Sequence, residues 1–194
     1  MSNNEFFMYF WLIKRAMAHV EAKYILLEVA GGNPKHRERV YCYELYHQMR
    51  SLQEHCKEQS GFTINGEIDK DGPQKVDQNV NPDFVMHTPG DMENNGCVVE
   101  VKVRNNNGNG LPSKRGVHKD LKTITCMLHC YNYQCGALIF VDVSEEEIAP
   151  ILQEADIAHL NDISDCVMVF FQSKNDPCNV LCKNLKEILE GEKQ

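Results

Sequence analysis

Asn81-Pro82-Asp83-Phe84-Val85-Met86-His87 and Val98-Val99-Glu100-Val101-Lys102-Val103 are the two stretches that decide the fold of this chain. Apolar and charged residues alternate in the second stretch, which predicts a β-strand with valines on one face and Glu100 and Lys102 on the other. The first stretch also alternates after its proline, which suits the start of a strand. Turn residues fill the segment between the two stretches and favour a hairpin. That hairpin would place Asp83 beside Glu100.

Two carboxylates and an amine at one place on a sheet suit the metal-assisted attack of water on a phosphodiester. Mg²⁺ is usually held by one or two carboxylates and keeps positions for water and phosphate oxygens. Asp83 and Glu100 are the predicted ligands, and Lys102 would orient the attacking water or help to deprotonate it. The alternative is a solvated hairpin face with an ordinary mixture of Glu and Lys. His87 shares the face of Asp83 and is interpreted as a structural hydrogen-bonding residue.

Composition bounds the class of protein. The 194 residues are enough for one well-buried domain, and 42% apolar with 25% charged residues is ordinary for a globular protein. The apolar run 6–13 is too short to cross a bilayer and lacks the flanks of a signal peptide. It predicts a helix that completes the core or forms a homodimer or partner interface. Nine cysteines without a secretory signal indicate the cytoplasm, and their spacing favours buried thiols over zinc ligands.

Charge is distributed unevenly along the chain. The net charge is −8, yet residues 102–122 carry +5 and include an Asn- and Gly-rich loop that could follow a phosphate backbone. The alternative is a solvated loop with incidental lysines. The predicted nucleic-acid contacts are the basic side chains that follow the Glu-x-Lys motif, namely Arg104, Lys114, Arg115, Lys119 and Lys122.

Hydrophobic periodicity predicts the order of the remaining elements. A capping box of Ser144 with Glu147 marks one helix start. The predicted helices are 3–29, 37–58, 117–131, 144–160 and 181–191, and the predicted strands, besides the hairpin, are 62–69, 136–141 and 166–171. No internal repeat is present, which favours a single domain.

The order helix, three strands, helix, strand, with Pro-Asp on the second strand and Glu-x-Lys on the third, resembles the PD-(D/E)xK superfamily of restriction-endonuclease-like nucleases. The resemblance covers roughly residues 37–143. It implies an α/β fold whose mixed sheet of four to five strands is flanked by helices in α-β-β-β-α-β order. Residues 1–35 would be an extra N-terminal helical extension, and residues 144–194 a C-terminal α/β elaboration of the same single domain.

The resemblance also implies roles for individual residues. Asp83 and Glu100 would be metal ligands, and Lys102 would position the nucleophilic water. Many members add an acidic residue from the helix before the sheet, for which Glu44 is the match, with Glu67 on the predicted first strand as a competitor. The implied cofactor is Mg²⁺, with Mn²⁺ as a substitute. A basic residue after the hairpin often contacts substrate in this family, which favours Lys119 over Lys122.

These expectations describe a cytoplasmic, metal-dependent endonuclease, a hydrolase that cuts DNA in preference to RNA. A place in bacterial DNA processing or defence follows from the resemblance alone. One alternative is a module that keeps the nuclease fold but binds nucleic acid or assembles with proteins without cleaving. Another is an interaction protein that uses the aromatic run 6–13 as its functional surface. The sequence contains no phosphate-binding loop of the Gly-x4-Gly-Lys-Ser/Thr type.

Overall fold

The computed structural model describes residues 6–55, 61–66, 80–90, 95–106 and 110–191. Its architecture is α/β, with one six-stranded mixed sheet flanked by helices. In chain order the elements are α1 (Phe7–His19), α2 (Ala22–Ile25), α3 (Glu38–His55), β1 (Thr63–Gly66), β2 (Phe84–His87), β3 (Asn95–Val103), α4 (Lys114–Cys130), β4 (Tyr133–Val141), α5 (Glu145–Gln153), α6 (Leu160–Ile163), a 3-10 turn (Ser164–Cys166), β5 (Val167–Ser173), β6 (Asp176–Asn184) and α7 (Leu185–Glu190).

The strands lie in the sheet in the same order as in the chain. β1, β2 and β3 pair antiparallel, which confirms the predicted hairpin. β3, β4 and β5 pair parallel, and β6 returns antiparallel along β5. The elements from α3 to β4 therefore follow the expected order of helix, three strands, helix and strand. The expected count of four to five strands is wrong, because β6 is the sixth.

β6 occupies part of a segment for which a terminal helix was predicted. Lys174 and Asn175 form a two-residue turn, so that Ser173 pairs with Asp176 and the chain doubles back. The strand is at an edge of the sheet, and Val180 is buried on it while Leu181 is 61% exposed. Such a sparse apolar pattern does not distinguish a strand from a helix, which explains the wrong prediction.

The N-terminal segment forms two helices where a single helix was predicted. α1 ends at His19, because Val20 takes an extended conformation, and α2 is one short turn. Ile13, Ala16 and Met17 of α1 are completely buried, so this helix completes the core. Its outer side leaves Phe7 67% exposed and Trp11 40% exposed. Among the helices described, none has both the length and the apolar character needed to cross a membrane.

Two hydrophobic cores cover the two faces of the sheet. One lies against α1, α2 and α3, and the other against α4 to α7. On β3, Val99 and Val101 belong to the first core and Val98 to the second. The alternative of a solvated hairpin face is therefore wrong. Parallel pairing with β4 makes β3 an internal strand covered on both sides, and Glu100 is only 5% exposed.

The predicted capping box of α5 is confirmed. The Glu147 N–H donates to Ser144 Oγ over 3.4 Å, and the Ser144 N–H donates to Glu147 Oε2 over 2.9 Å. Both bonds satisfy backbone donors that a helix start would otherwise leave unpaired. The helix ends at Gln153 and does not reach the predicted residue 160.

Candidate active site

The hairpin brings Asp83 next to Glu100. Phe84 pairs with Val99, so Asp83, one residue before β2, comes opposite Glu100 on β3. Asp83 Oδ2 accepts a hydrogen bond of 2.7 Å from the N–H of Val101, which fixes the carboxylate against β3. A hydrogen bond also joins the side chains of Asp83 and Glu100. The structure therefore places the two predicted metal ligands in direct contact.

Lys102 lies between two helices at the end of the same strand. Its Nζ is 2.9 Å from Asp120 Oδ2 on α4 and 3.4 Å from Glu38 Oε2 on α3. It also donates to the carbonyl oxygen of Val101 over 3.1 Å. The side chain is only 18% exposed. The predicted amine is thus held in place by a carboxylate from each side of the sheet.

Glu38, rather than Glu44, is the carboxylate that α3 contributes to this group. Six residue steps separate the two, which corresponds to about 9 Å along the helix axis and roughly 120° around it. Glu44 Oε1 accepts a hydrogen bond of 2.6 Å from Gln48 in the same helix. The signal for Glu38 was its place in the first helical turn, where acidic residues are favoured. Glu67, the competing candidate, lies outside the described residues.

Asp120 is the second carboxylate that sequence reasoning missed. It is 3% exposed, although it lies in the most basic stretch of the chain. Its spacing from Val117 and Ile124 was the available signal, because residues three and four apart share a helix face. Asp120 Oδ2 is buried and forms an ion pair with the Lys102 ammonium 2.9 Å away. A buried, ion-paired carboxylate is thus part of the site.

The mutual charges of the group shift its protonation equilibria. Burial raises the pKa of Glu100 well above its usual value, and the charges of Asp120 and Asp83 raise it further. Burial also raises the pKa of Asp120 to about 6, although Lys102 opposes the change. Burial raises the pKa of Glu38 as well. For Lys102, burial lowers the pKa, but the carboxylates of Asp120 and Glu38 outweigh it, so the pKa is above its usual value.

The oxygen donors of this group have the chemistry that Mg²⁺ prefers. Asp83, Glu100, Glu38 and Asp120 supply carboxylates only, and their crowding disfavours simultaneous ionisation. Their present arrangement is organised around the Lys102 ammonium. Within the described ranges, no three Asp, Glu, His or Cys side chains are gathered as a metal-holding group. The donor set therefore fits a divalent cation by type, while its geometry is that of an ion-pair network.

The predicted nucleic-acid contacts fall into two classes. Arg104 donates to both carboxylate oxygens of Glu147, at 2.9 and 2.6 Å, and Lys114 lies 2.5 Å from Glu154. These two cations are engaged in ion pairs with α5 and its C-terminal end. The remaining three side chains are exposed along α4 at spacings of four and three residues, which puts them on one side of the helix: Arg115, Lys119 and Lys122.

Two depressions flank the site. A groove of about 520 Å³ between α3 and the β1–β2 edge includes Asp83 and Glu38 in its walls. A second depression, of about 290 Å³, includes Glu38 and Lys102.

His87 lies on β2 with its Nε2 3.0 Å from Asn65 Oδ1, a cross-strand hydrogen bond of the structural kind expected for it.

Comparison of the chain with protein-family models, curated protein sequences and solved structures finds no match. What the site can do therefore follows from its own side chains. They combine crowded carboxylates, a cationic lysine and an accessible groove at one end of β3. This combination suits chemistry on an anionic substrate with help from a divalent cation.

Proposed function

We propose that this protein is a metal-dependent nuclease that hydrolyses phosphodiester bonds at the site formed by Asp83, Glu100, Lys102 and Glu38. The single observation that carries the proposal is the convergence of these side chains at the end of β3. The α-β-β-β-α-β order from α3 to β4 supports a restriction-endonuclease-like core. The resemblance favours DNA over RNA as substrate.

The side chains have distinct roles in this proposal. Mg²⁺ held by Asp83, Glu100 and Glu38 would neutralise phosphate charge and acidify a water. The Val101 N–H keeps Asp83 oriented towards Glu100. Lys102 stays protonated, because its pKa is raised, so it donates hydrogen bonds and does not act as a base. It would position the attacking water or stabilise negative charge on the phosphate.

The electrostatics of the site also support cation binding. Glu100 and Asp120 are buried, and repulsion among the neighbouring carboxylates contributes to their raised pKa values. A bound divalent cation relieves such repulsion, so part of its binding energy would stabilise the fold. Metal binding would thus explain why the fold keeps a group of buried carboxylates that destabilises the metal-free protein.

A cleavage panel tests the proposal. The purified protein is incubated with plasmid, linear duplex, single-stranded DNA and RNA in Mn²⁺, alongside Lys102→Ala and the exposed-lysine control Lys186→Ala on α7. We expect cleavage of at least one substrate by the wild type and the control, and loss of cleavage in Lys102→Ala. Cleavage that survives in Lys102→Ala would place the activity elsewhere.

One rival function has an observation in its favour. The ammonium of Lys102 is engaged by Glu38 and Asp120, and no metal-holding group of three ligands is assembled in the part of the chain that the structure describes. Both features suit a module with a nuclease-like fold that binds nucleic acid or assembles with proteins without cleaving. Metal-independent binding without cleavage of any substrate in the panel would favour this rival.

A further inference from the structure

The groove of about 520 Å³ beside Asp83 has the size of a site for a small ligand or a single nucleotide, since such sites typically span roughly 300–1,000 Å³. Residues of α3 form one wall, and Asn65, Gly66 and Phe84 form the other. Because Asp83 and Glu38 also line the groove, a molecule bound there would touch the proposed catalytic carboxylates. The groove is therefore placed to hold part of the substrate.

Two tyrosines of α3 line this groove in different ways. Tyr46 is held in place, because its ring stacks on Phe84 with centroids 6.3 Å apart and its hydroxyl donates to the carbonyl of Ile64 over 3.4 Å. Tyr43 is 64% exposed. Within the described ranges, no side chain pairs with its ring or its hydroxyl. Tyr43 thus presents an open aromatic surface next to the site.

Polar groups complete the lining. Asn65 and Arg39 are among the lining residues, and Gly66 leaves the floor of the groove open. A Cβ at Gly66 would lie 3.4 Å from the carbonyl oxygen of Asp83, in ordinary contact with the strand. An exposed aromatic face recognises unpaired bases by stacking, and polar groups around it can hydrogen-bond to the base edge.

The second depression, of about 290 Å³, shares Glu38 with the groove and is also lined by Lys102. Arg37 and Ser113 line it and supply a cation and a hydroxyl suited to a phosphate. A strand whose base lies against Tyr43 would therefore pass its phosphate across the carboxylate group and leave along this depression.

We propose that the Tyr43 groove binds an unpaired base, and that the substrate is single-stranded nucleic acid or an unpaired segment. The inference rests on the proposed function and deepens it. In a duplex both faces of each base are covered by stacking, so an intact duplex could not use the ring of Tyr43. A single strand can put a base in the groove and the attached phosphate near Asp83 without the cost of breaking base pairs.

Cleavage kinetics on matched substrates test this inference. Single-stranded and blunt duplex oligonucleotides of one sequence are compared in Mn²⁺. The proteins are the wild type, Tyr43→Ala, Tyr43→Phe and Phe7→Ala. Phe7 is an exposed aromatic residue of α1 that does not line the groove and serves as the control. We expect the wild type to prefer the single strand. Tyr43→Ala should raise KM for it by about 5- to 100-fold with little change in kcat. Tyr43→Phe and Phe7→Ala should resemble the wild type.

A binding measurement separates this inference from the proposed function. Tyr43→Trp is titrated with unlabelled single strand and duplex, in Mg²⁺ and in EDTA, against the wild-type signal of Trp11. Quenching by the single strand supports the groove even if no substrate is ever cleaved, in which case only the nuclease activity fails. Equal cleavage of both substrates, an equal effect of Tyr43→Ala on both, or no quenching in Tyr43→Trp would overturn the inference.

Discussion

The ammonium of Lys102 is surrounded by carboxylates from three elements, and this environment determines what the residue can do. Asp120 and Glu38 lie 2.9 and 3.4 Å from Nζ, and Glu100 is two residues away on the same strand. Because the charges of Asp120 and Glu38 raise the pKa of Lys102 despite its burial, the side chain is cationic at neutral pH. It acts as a donor, and the proton of an attacking water must go to another group.

Divalent metal should stabilise the protein through Asp83 and Glu100. Binding to the folded state alone adds about 2.7 kcal/mol at a metal concentration one hundred times Kd. We expect Mg²⁺ or Mn²⁺ to raise the Tm of the wild type and of Glu44→Ala, whose carboxylate is outside the group. The Asp83→Ala, Glu100→Ala double variant should lose the response, as followed by thermal denaturation. A rise of Tm that persists in the double variant would place the metal elsewhere.

Asp120 should make stability fall as pH rises through its folded-state pKa. That pKa is raised from 3.8 to about 6, so folding favours the protonated form. The contribution is fully present below pH 3.8 and is lost as pH rises through about 6, by at most about 3 kcal/mol. Urea unfolding in EDTA should show wild-type stability falling relative to Asp120→Asn across this window. A constant difference between pH 4 and 7 would contradict the assignment.

At the scale of elements, the position of α3 against the sheet decides which carboxylate reaches the site. Tyr41, Leu45 and Met49 bury one side of the helix. That stripe fixes the rotation of α3, and its first turn, with Glu38, lies at the end of β3 next to Lys102. Glu44 lies farther along the helix and hydrogen-bonds within it. Two glutamates of one helix therefore have different environments.

These two glutamates form a matched pair for mutation. Glu38→Gln removes a charge from the site without changing side-chain shape, and Glu44→Gln makes the same change outside it. We expect Glu38→Gln to lower the cleavage rate by at least about tenfold and Glu44→Gln to leave it near the wild-type value. Steady-state cleavage with a labelled oligonucleotide measures both. The reverse ranking would restore Glu44 to the role first expected for it.

The sequence predicts the positions of most helices and strands better than it predicts which elements pack against them. Alternation in 98–103 and the turn residues before it predicted the hairpin and the contact between Asp83 and Glu100, because both depend on local pattern. Nothing local shows that β3 would be covered on both faces, since that depends on α4 packing over it. Glu38 and Asp120 were not among the predicted ligands, because periodicity gives the buried side of a helix but not which end meets a given strand. β6 was missed because an edge strand needs few apolar residues.

At the scale of the whole molecule, the sheet joins the N-terminal helices and the C-terminal hairpin to the segment that carries the site. α1 packs on α3 and on β6, so the first and last parts of the chain share one core. Gln172 of β5 connects these parts, accepting from Tyr41 and donating to the carbonyl of Met17 over 2.6 Å. The described residues 6–35 are thus integral to the fold.

Deletion of residues 1–35 should prevent cooperative folding. The deletion exposes the core that Ile13, Met17 and Ile25 cover, and the loss of several fully buried side chains costs more than typical net stabilities. We expect no thermal transition by near-UV circular dichroism. The Phe7→Ala, Trp11→Ala double variant changes only the exposed side of α1 and should keep its transition. A deletion variant that folds would contradict this expectation, and loss of a wild-type dimer with retained folding in light scattering would identify α1 as an interface.

The most direct test of the central claim is the cleavage of a labelled oligonucleotide under single-turnover conditions, with wild type, Asp83→Asn and Glu100→Gln compared in Mg²⁺ and in EDTA. Both variants remove charge from the carboxylate pair while preserving side-chain size. We expect cleavage by the wild type in Mg²⁺, none in EDTA, and a loss of at least about 100-fold in each variant. Cleavage in EDTA, or unimpaired cleavage by either variant, would contradict the proposed metal-dependent site.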